Sequence, residues 1–179
     1  NRTMSIPQEP DKAKLIIGIF LKDKSLIGDI AGGLEDKFGN FDTISPWIPF
    51  DYTSYYEKEI GKPLFRRIFT FNQLIHQGEL PEIKLYTNEL EKQVSGGIGR
   101  KVNIDPGYML ESRFILATGK DFSHRVYLEN GIYADLTLLF KKGSFTTLPW
   151  TYPDYADHTM IEYLGKIRDK YKRDLSASC

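Results

Sequence analysis

"SHRVYLENGIYADLTL" (residues 123–138) holds an Asn-Gly dipeptide between two segments of alternating character, the short-range signature of a β-hairpin. Its register decides which face of the sheet is buried, and so what kind of fold can cover it. A two-residue Asn130-Gly131 loop pairs Glu129 with Ile132 and puts Tyr133, Asp135 and Thr137 on the face of Val126 and Leu128. A three-residue loop, a type I turn over Glu129 and Asn130 followed by left-handed Gly131 as a bulge, pairs Leu128 with Ile132 instead. The faces then separate. Val126, Leu128, Ile132, Ala134, Leu136 and Leu138 form an apolar face, while Arg125, Tyr127, Tyr133, Asp135 and Thr137 form a polar one, with Arg125 opposite Asp135. This second register is preferred, because a half-buried antiparallel sheet needs one apolar face.

Working outward, "AKLIIGIFLK" (13–22) is apolar on both alternating faces, as a central strand requires. "KSLIGDIAGGLEDKFG" (24–39) is a helix: Leu26, Ile27, Ile30, Leu34 and Phe38 share one side, Ser25 or Asp23 can cap its start, and Gly39 can end it. Gly32-Gly33 inside it implies close packing. "FDTISPWIPF" (41–50) reads as a Pro-interrupted edge strand, "TSYYEKEIG" (53–61) as a short helix capped by Thr53, and "LFRRIFTFNQL" (64–74) as a returning strand. Residues 81–95 fit one helix with Pro81 in its first turn and Gly96 at its end. The alternative is a strand through Tyr86 and a short helix capped by Asn88, with Glu91 completing a capping box. "RKVNI" (100–104), "SRFILAT" (112–118), the hairpin and a helix from about Tyr155 follow. Met160, Leu164, Ile167 and Tyr171 form the buried stripe of that helix.

The predicted fold is therefore α+β: a ferredoxin-like βαββαβ order in the first half, then a three-stranded antiparallel meander and a C-terminal helix, with the helices on one face of the sheet. Residues 1–11 read as a flexible segment and 12–175 as a single domain.

The 24 basic and 24 acidic residues cancel, so overall charge steers the chain toward neither nucleic acid nor an anionic membrane. The single cysteine, Cys179, excludes an internal disulfide and a cysteine metal cluster, and a reducing cytoplasm fits. The longest apolar run, Leu15 to Leu21, is too short to cross a bilayer. No cofactor or metal motif occurs. Asp154, His158 and Glu162 are spaced i, i+4, i+8 on the last helix, but Asp154 as a helix cap explains its place more simply.

"FDYTSYYEKEIG", "IKLYTNELE", "VNIDPGYML", "LATGKDFSHRVYLENGIYADLTL" and "TYPDY", in this order, resemble the bacterial domain of unknown function family 4416 across almost the whole chain. The resemblance implies no established activity. A GTP-binding label attached to some members finds no support in the residues: "GGIGRK" (96–101) lacks the GxxxxGK[ST] loop, and no Asn-Lys-x-Asp base reader occurs.

The polar hairpin face is the leading candidate site. Arg125 can grip a carboxylate or phosphate with its forked donors, Asp135 can orient it or act as a base, and Tyr127 and Tyr133 can wall the ligand. His124 is the candidate general acid-base. The structural alternative is an exposed cross-strand ion pair worth at most about 1 kcal/mol. "NIDPGY" (103–108) reads as a type II turn or a helix start capped by Asp105, and Asp105 and Tyr108 are candidate ligand contacts. Lys84, Asn88 and Glu91 share a helical face, and Lys84 and Asn88 join the candidate ligand-binding set.

Three functions compete. The first is binding of a small anionic metabolite or nucleotide on the polar face of the meander, with or without catalysis. The second is a protein-protein interaction module using tyrosines 52, 55, 56, 152 and 155. The third is RNA binding, by aromatics on an open sheet and the basic "GKIRDKYKRD" (165–174), although that segment also suits the negative end of its own helix. The subunit number, a homo-oligomer included, is left open.

Overall fold

The computed structural model describes residues 4–51 and 58–178. Its strands are β1 (Lys14–Leu21), β2 (Phe41–Ile44), β3 (Ile48–Pro49), β4 (Phe65–Phe71), β5 (Val102–Met109), β6 (Arg113–Thr118), β7 (Arg125–Glu129), β8 (Ile132–Lys141) and β9 (Ser144–Thr147). Its helices are α1 (Ile27–Phe38), α2 (Leu80–Ser95), α3 (Pro153–Ala156) and α4 (His158–Ala177). The strands form one antiparallel sheet in the order β2-β4-β1-β5-β6-β8-β7, with β3 beside β4 and β9 beside β8.

Every residue of β1 is buried, and its alternation feeds two cores. Leu15, Ile17, Ile19 and Leu21 meet Ile30 and Leu34 of α1 and Ile83 and Leu90 of α2 on one face. Ile16 meets Met160, Leu164 and Ile167 of α4 on the other. The expectation that the helices cover a single face is thus corrected: the stripe on α4 needed an apolar surface to bury against, and Ile16 of β1, Ile68 of β4, Met109 of β5 and Phe114 of β6 supply it. The C-terminal half of α4 is further tied down by charge. Lys14, wholly buried, lies 2.5 Å from Asp42 and 3.1 Å from Asp174, and Lys170 lies 2.8 Å from Asp42.

The helical signals are mostly where the sequence places them. Asp23 caps a 3-10 turn over Lys24–Leu26 that leads into α1, and Gly39 ends α1 with φ +87°. A Cβ on Gly33 would come within 2.9 Å of Leu90, so that glycine lets α1 and α2 approach. Residues 81–95 are one helix, with left-handed Gly96 after it. The helix expected at 53–61 falls largely outside the described residues. The last helix is broken. Asp157 is extended and caps α4 by accepting the Thr159 and Met160 N–H groups, whereas Asp154, the expected cap, belongs to the separate α3.

The second half departs from a meander. β8, not β7, neighbours β6. β8 has apolar residues to bury on both faces, so it takes the inner position, and residues 119–124 carry the chain past it to β7 at the edge. Val126 and Leu128 are consequently exposed rather than part of a buried face. The hairpin turn is the two-residue form: Asn130 and Gly131 have φ +55° and +77°, and Glu129 pairs with Ile132. A bulge at Leu128 then shifts the register back, so that Tyr127 faces Tyr133 and Arg125 faces Asp135. The predicted turn was wrong and the predicted cross-strand pairing right, because a bulge in the strand does what was assigned to a bulge in the turn. A second irregularity, between Phe114 and Ile115 of β6, leaves Thr137 without a partner there and turns Leu138 to the α4 side. β9 was not anticipated. A turn at Lys142-Gly143, both with positive φ, brings it back along β8.

"NIDPGY" is neither a turn nor a helix start but the middle of β5, where Ile17 of β1 faces Pro106 and Ile16 faces Gly107. Gly107 is required by the close approach of β6, since a Cβ there would overlap the Ile115 carbonyl oxygen.

Candidate functional site

β5 and β6 pair only through Gly107–Met109 and Phe114–Leu116. Beyond Gly107 they part at Pro106, which has no N–H to offer a neighbouring strand. β5 continues against β1 alone and β6 against β8 alone. The sheet therefore splits at its centre, and side chains of α2 reach into the gap. Glu91 Oε1 accepts the Ile104 N–H at 2.6 Å, and Lys84 Nζ reaches the Ile104 carbonyl at 3.4 Å. These groups stand in for the missing strand, as buried backbone must find partners somewhere.

Above the split lies a cleft of about 730 Å3, within the range of small-ligand sites. One wall is β5 with Asn103 and Asp105, and the opposite wall is β6 with Leu116 to Thr118 and the turn through Lys120. Lys84 and Asn88 come from α2, Phe20 and Phe50 close one end, Arg125 and Asp135 the other, and residues 152–155 form the roof.

The Arg125 end is a built network. Asp135 is 5% exposed. Its Oδ2 accepts from Arg125 Nε at 2.9 Å and lies 3.1 Å from His124 Nε2, and its Oδ1 accepts from Thr137 Oγ1 at 3.2 Å. Since a carboxylate only accepts, the histidine proton sits on Nε2. Arg125 also donates to the Lys120 carbonyl and to the Tyr152 hydroxyl, each at 3.0 Å. Burial works against its charge, but Asp135 and Tyr152 outweigh it and the arginine pKa is raised. The irregularity at Thr137 contributes directly: the carbonyls of Leu136 and Thr137 accept from Trp150 Nε1 and Thr151 Oγ1, which pins the loop that carries Tyr152 over Arg125. His124 stacks on Trp150, ring centres 4.9 Å apart.

Behind the other end, and not itself among the lining residues, Arg66, 1% exposed, pairs through Nη1 with Asp154 and lies against the Tyr155 ring at 4.4 Å. Burial opposes its charge, and Tyr155, Asp154 and Asp105 outweigh burial and raise its pKa. Its Nε and Nη2 have no hydrogen-bond partner among the described residues. Gly18 makes room for it, because a Cβ there would lie 3.2 Å from both Arg66 Nη2 and the Tyr155 hydroxyl. Between the two ends, Arg100 donates to Asn103 Oδ1, whose amide donates to Asp105 Oδ2 at 2.7 Å. Arg100 also lies 3.7 Å from Glu91. The Glu91 pKa is raised by burial, against the pull of the Ile104 N–H and Arg100.

Of the residues singled out in the sequence, Arg125, Asp135, Asp105, Lys84 and Asn88 line this one cleft. His124 lies behind Asp135 and is not among the lining residues. Tyr127 and Tyr133 form an edge-on pair, ring centres 5.2 Å apart, one step nearer the hairpin turn. Tyr108 faces Gln77, and its pKa is raised by burial. Arg66, Asn103 and the gap itself were missed. Asp154, His158 and Glu162 do not converge, since Asp154 pairs with Arg66 while His158 lies 3.8 Å from Glu162. No group of three metal-ligating side chains occurs among the described residues. Tyrosines 52, 55 and 56 lie outside the described residues, and Tyr155 is buried. Helices pack on both faces of the sheet, α1 and α2 on one and α4 on the other.

Fold and cleft together define an α+β protein with helices on both faces of a large antiparallel sheet and a polar cleft where that sheet splits. The chain belongs to the family described as Domain of unknown function (DUF4416), whose model matches residues 11–171, as its five characteristic stretches led one to expect. No curated protein and no solved structure matches it. No helix among the described residues is long and apolar enough to cross a membrane.

Proposed function

We propose that the protein binds a small anionic metabolite in the cleft between β5, β6 and α2. One observation carries this reading: Lys84, 8% exposed, lines the cleft with no carboxylate within ion-pair distance among the described residues, and holds only the long bond to the Ile104 carbonyl. A buried ammonium is costly unless countercharge reaches it. Glu91 feels the Lys84 charge but is engaged by the Ile104 N–H and Arg100, so an anion entering the cleft is the natural partner. Arg125 frames the site rather than serving as a free fork, because each of its nitrogens already donates to the protein. His124 then positions Asp135 and makes no contact with the ligand, and the reading is one of binding without catalysis. For the scaffold, the order β2-β4-β1-β5 with α1 and α2 on one face supports a ferredoxin-like first half.

The test is calorimetric titration with inorganic phosphate. Wild type should bind and Lys84→Met should not. Equal binding by the two proteins, or none by wild type, would remove the proposal.

A further inference from the structure

Three carboxylates line the cleft, and two are spent: Asp154 on Arg66, and Asp135 on Arg125 and His124. Asp105 is different. Its Oδ2 takes the Asn103 amide, and among the described residues no cation lies within ion-pair distance of it and no donor reaches its Oδ1. Arg66 feels its charge but lies outside ion-pair distance, so Oδ1 stands in the cleft as an open acceptor, while Lys84 stands there as an open cation. They are near neighbours, since Lys84 Nζ contacts the carbonyl of Ile104, the residue before Asp105. Bond geometry keeps the ammonium and the carboxylate within roughly 9 Å of one another, yet they do not pair.

Two opposite charges left apart in one cleft are satisfied together by a ligand that is an acceptor at one point and a donor at another. A bare anion answers Lys84 and is repelled by Asp105. An anion whose carbon chain carries hydroxyl groups answers both, with its charge on Lys84 and an O–H donated to Asp105. Asn88 extends the same logic. It sits one helical turn after Lys84 and lines the cleft, and its amide can both donate to and accept from a hydroxyl. Of the other basic groups on the lining, Arg100 lies against Glu59 and Glu91 and Arg125 against Asp135, so the ligand's negative charge is drawn to Lys84.

Building on the proposed anion site, we infer that the ligand is a small anion whose carbon chain carries hydroxyl groups, of which a sugar phosphate is the test case, and that Asp105 is the residue that selects for its hydroxyl groups. The experiment is a set of titrations with inorganic phosphate, butyl phosphate, ribose 5-phosphate and free ribose, on wild type, Asp105→Ala and Lys84→Met. Ribose 5-phosphate should bind wild type at least tenfold more tightly than butyl phosphate, and free ribose should not bind measurably. Asp105→Ala should bring ribose 5-phosphate down to the affinity of butyl phosphate while inorganic phosphate binds as well as before or better. Lys84→Met should lose every phosphate compound. If Asp105→Ala does not fold, Asp105→Asn should shrink the same tenfold preference, because it removes the charge that strengthens the O–H bond. Equal wild-type affinities for ribose 5-phosphate and butyl phosphate would overturn the inference and leave the anion site standing. A preference that survives both Asp105 substitutions would do the same. No binding of any phosphate compound by wild type would overturn both readings.

Discussion

If Lys84 is kept in a buried, unpaired position for the sake of a ligand, the empty protein should be more stable without it. Lys84→Met retains an unbranched side chain of similar length, fills the same gap beside β5 and removes the charge. What is lost is the 3.4 Å bond to the Ile104 carbonyl, worth about 1 kcal/mol. What is gained is relief from holding an ammonium at 8% exposure, and replacing buried charges by apolar groups of similar size stabilises by up to about 4 kcal/mol. A net gain of about 1–2 kcal/mol follows. For a chain of this size each kcal/mol moves the midpoint by about 2–4 °C, so the melting temperature should rise by about 2–8 °C. Differential scanning calorimetry in a phosphate-free buffer reads it. A fall of several degrees would refute the reasoning, for it would mean that Lys84 is held in place by its bond to the split strand and not by a missing ligand.

Arg125→Ala should destabilise the fold by about 3 kcal/mol, well beyond an exposed pair, because it strands Asp135 at 5% exposure with only His124 and Thr137; a cost under about 1 kcal/mol in urea unfolding would restore the exposed-pair reading. Gly107→Ala should cost about 2–3 kcal/mol by forcing β5 away from the Ile115 carbonyl, and a neutral result in the same assay would show that the strands yield there. The Tyr171 hydroxyl, which donates to the Lys12 carbonyl, is pushed up from 10.0 to about 12, by burial first and then by Asp11 and Glu111. Since the folded pKa is raised, its contribution is complete below pH 10 and is lost as pH climbs toward 12, roughly 2–3 kcal/mol in all. Tyr171→Phe should flatten that alkaline decline, and an unchanged pH profile would exclude Tyr171 as its source.

How much of this was legible in the sequence depends on which physical signal each feature left. The buried stripe of α4 was read residue for residue, because Met160, Leu164, Ile167 and Tyr171 recur at helical spacing and nothing else satisfies them. The span of α2 was read from Pro81 and Gly96, whose backbone preferences are local. Strand order and face were harder. Sheet periodicity counts residues, and a single extra residue inverts everything after it. The bulge at Leu128 and the irregularity opposite Thr137 leave no mark in composition, yet the first preserved the Arg125–Asp135 pairing and the second sent Leu138 to the opposite core.

The cleft was the least legible feature, for a related reason. Asp105, Lys84 and Arg125 were each noticed as polar residues in suggestive places, but what joins them is the parting of β5 from β6, a tertiary event marked locally only by Pro106 and Gly107, which read more naturally as a turn. Arg66 shows the same limit from the other side. In "LFRRIFTF" an arginine beside a second arginine reads as surface, and only the space over Gly18, the Tyr155 ring and the Asp154 carboxylate make burial tolerable. Two elements far from β4 in sequence, β1 and α3, supply those conditions, so no local pattern could have announced them. The polar groups of this protein are placed by where its sheet fails to close. Anything that closes that gap, such as a β6 paired with β5 through Ile104, would free Lys84 and Glu91 from the backbone and abolish the cleft.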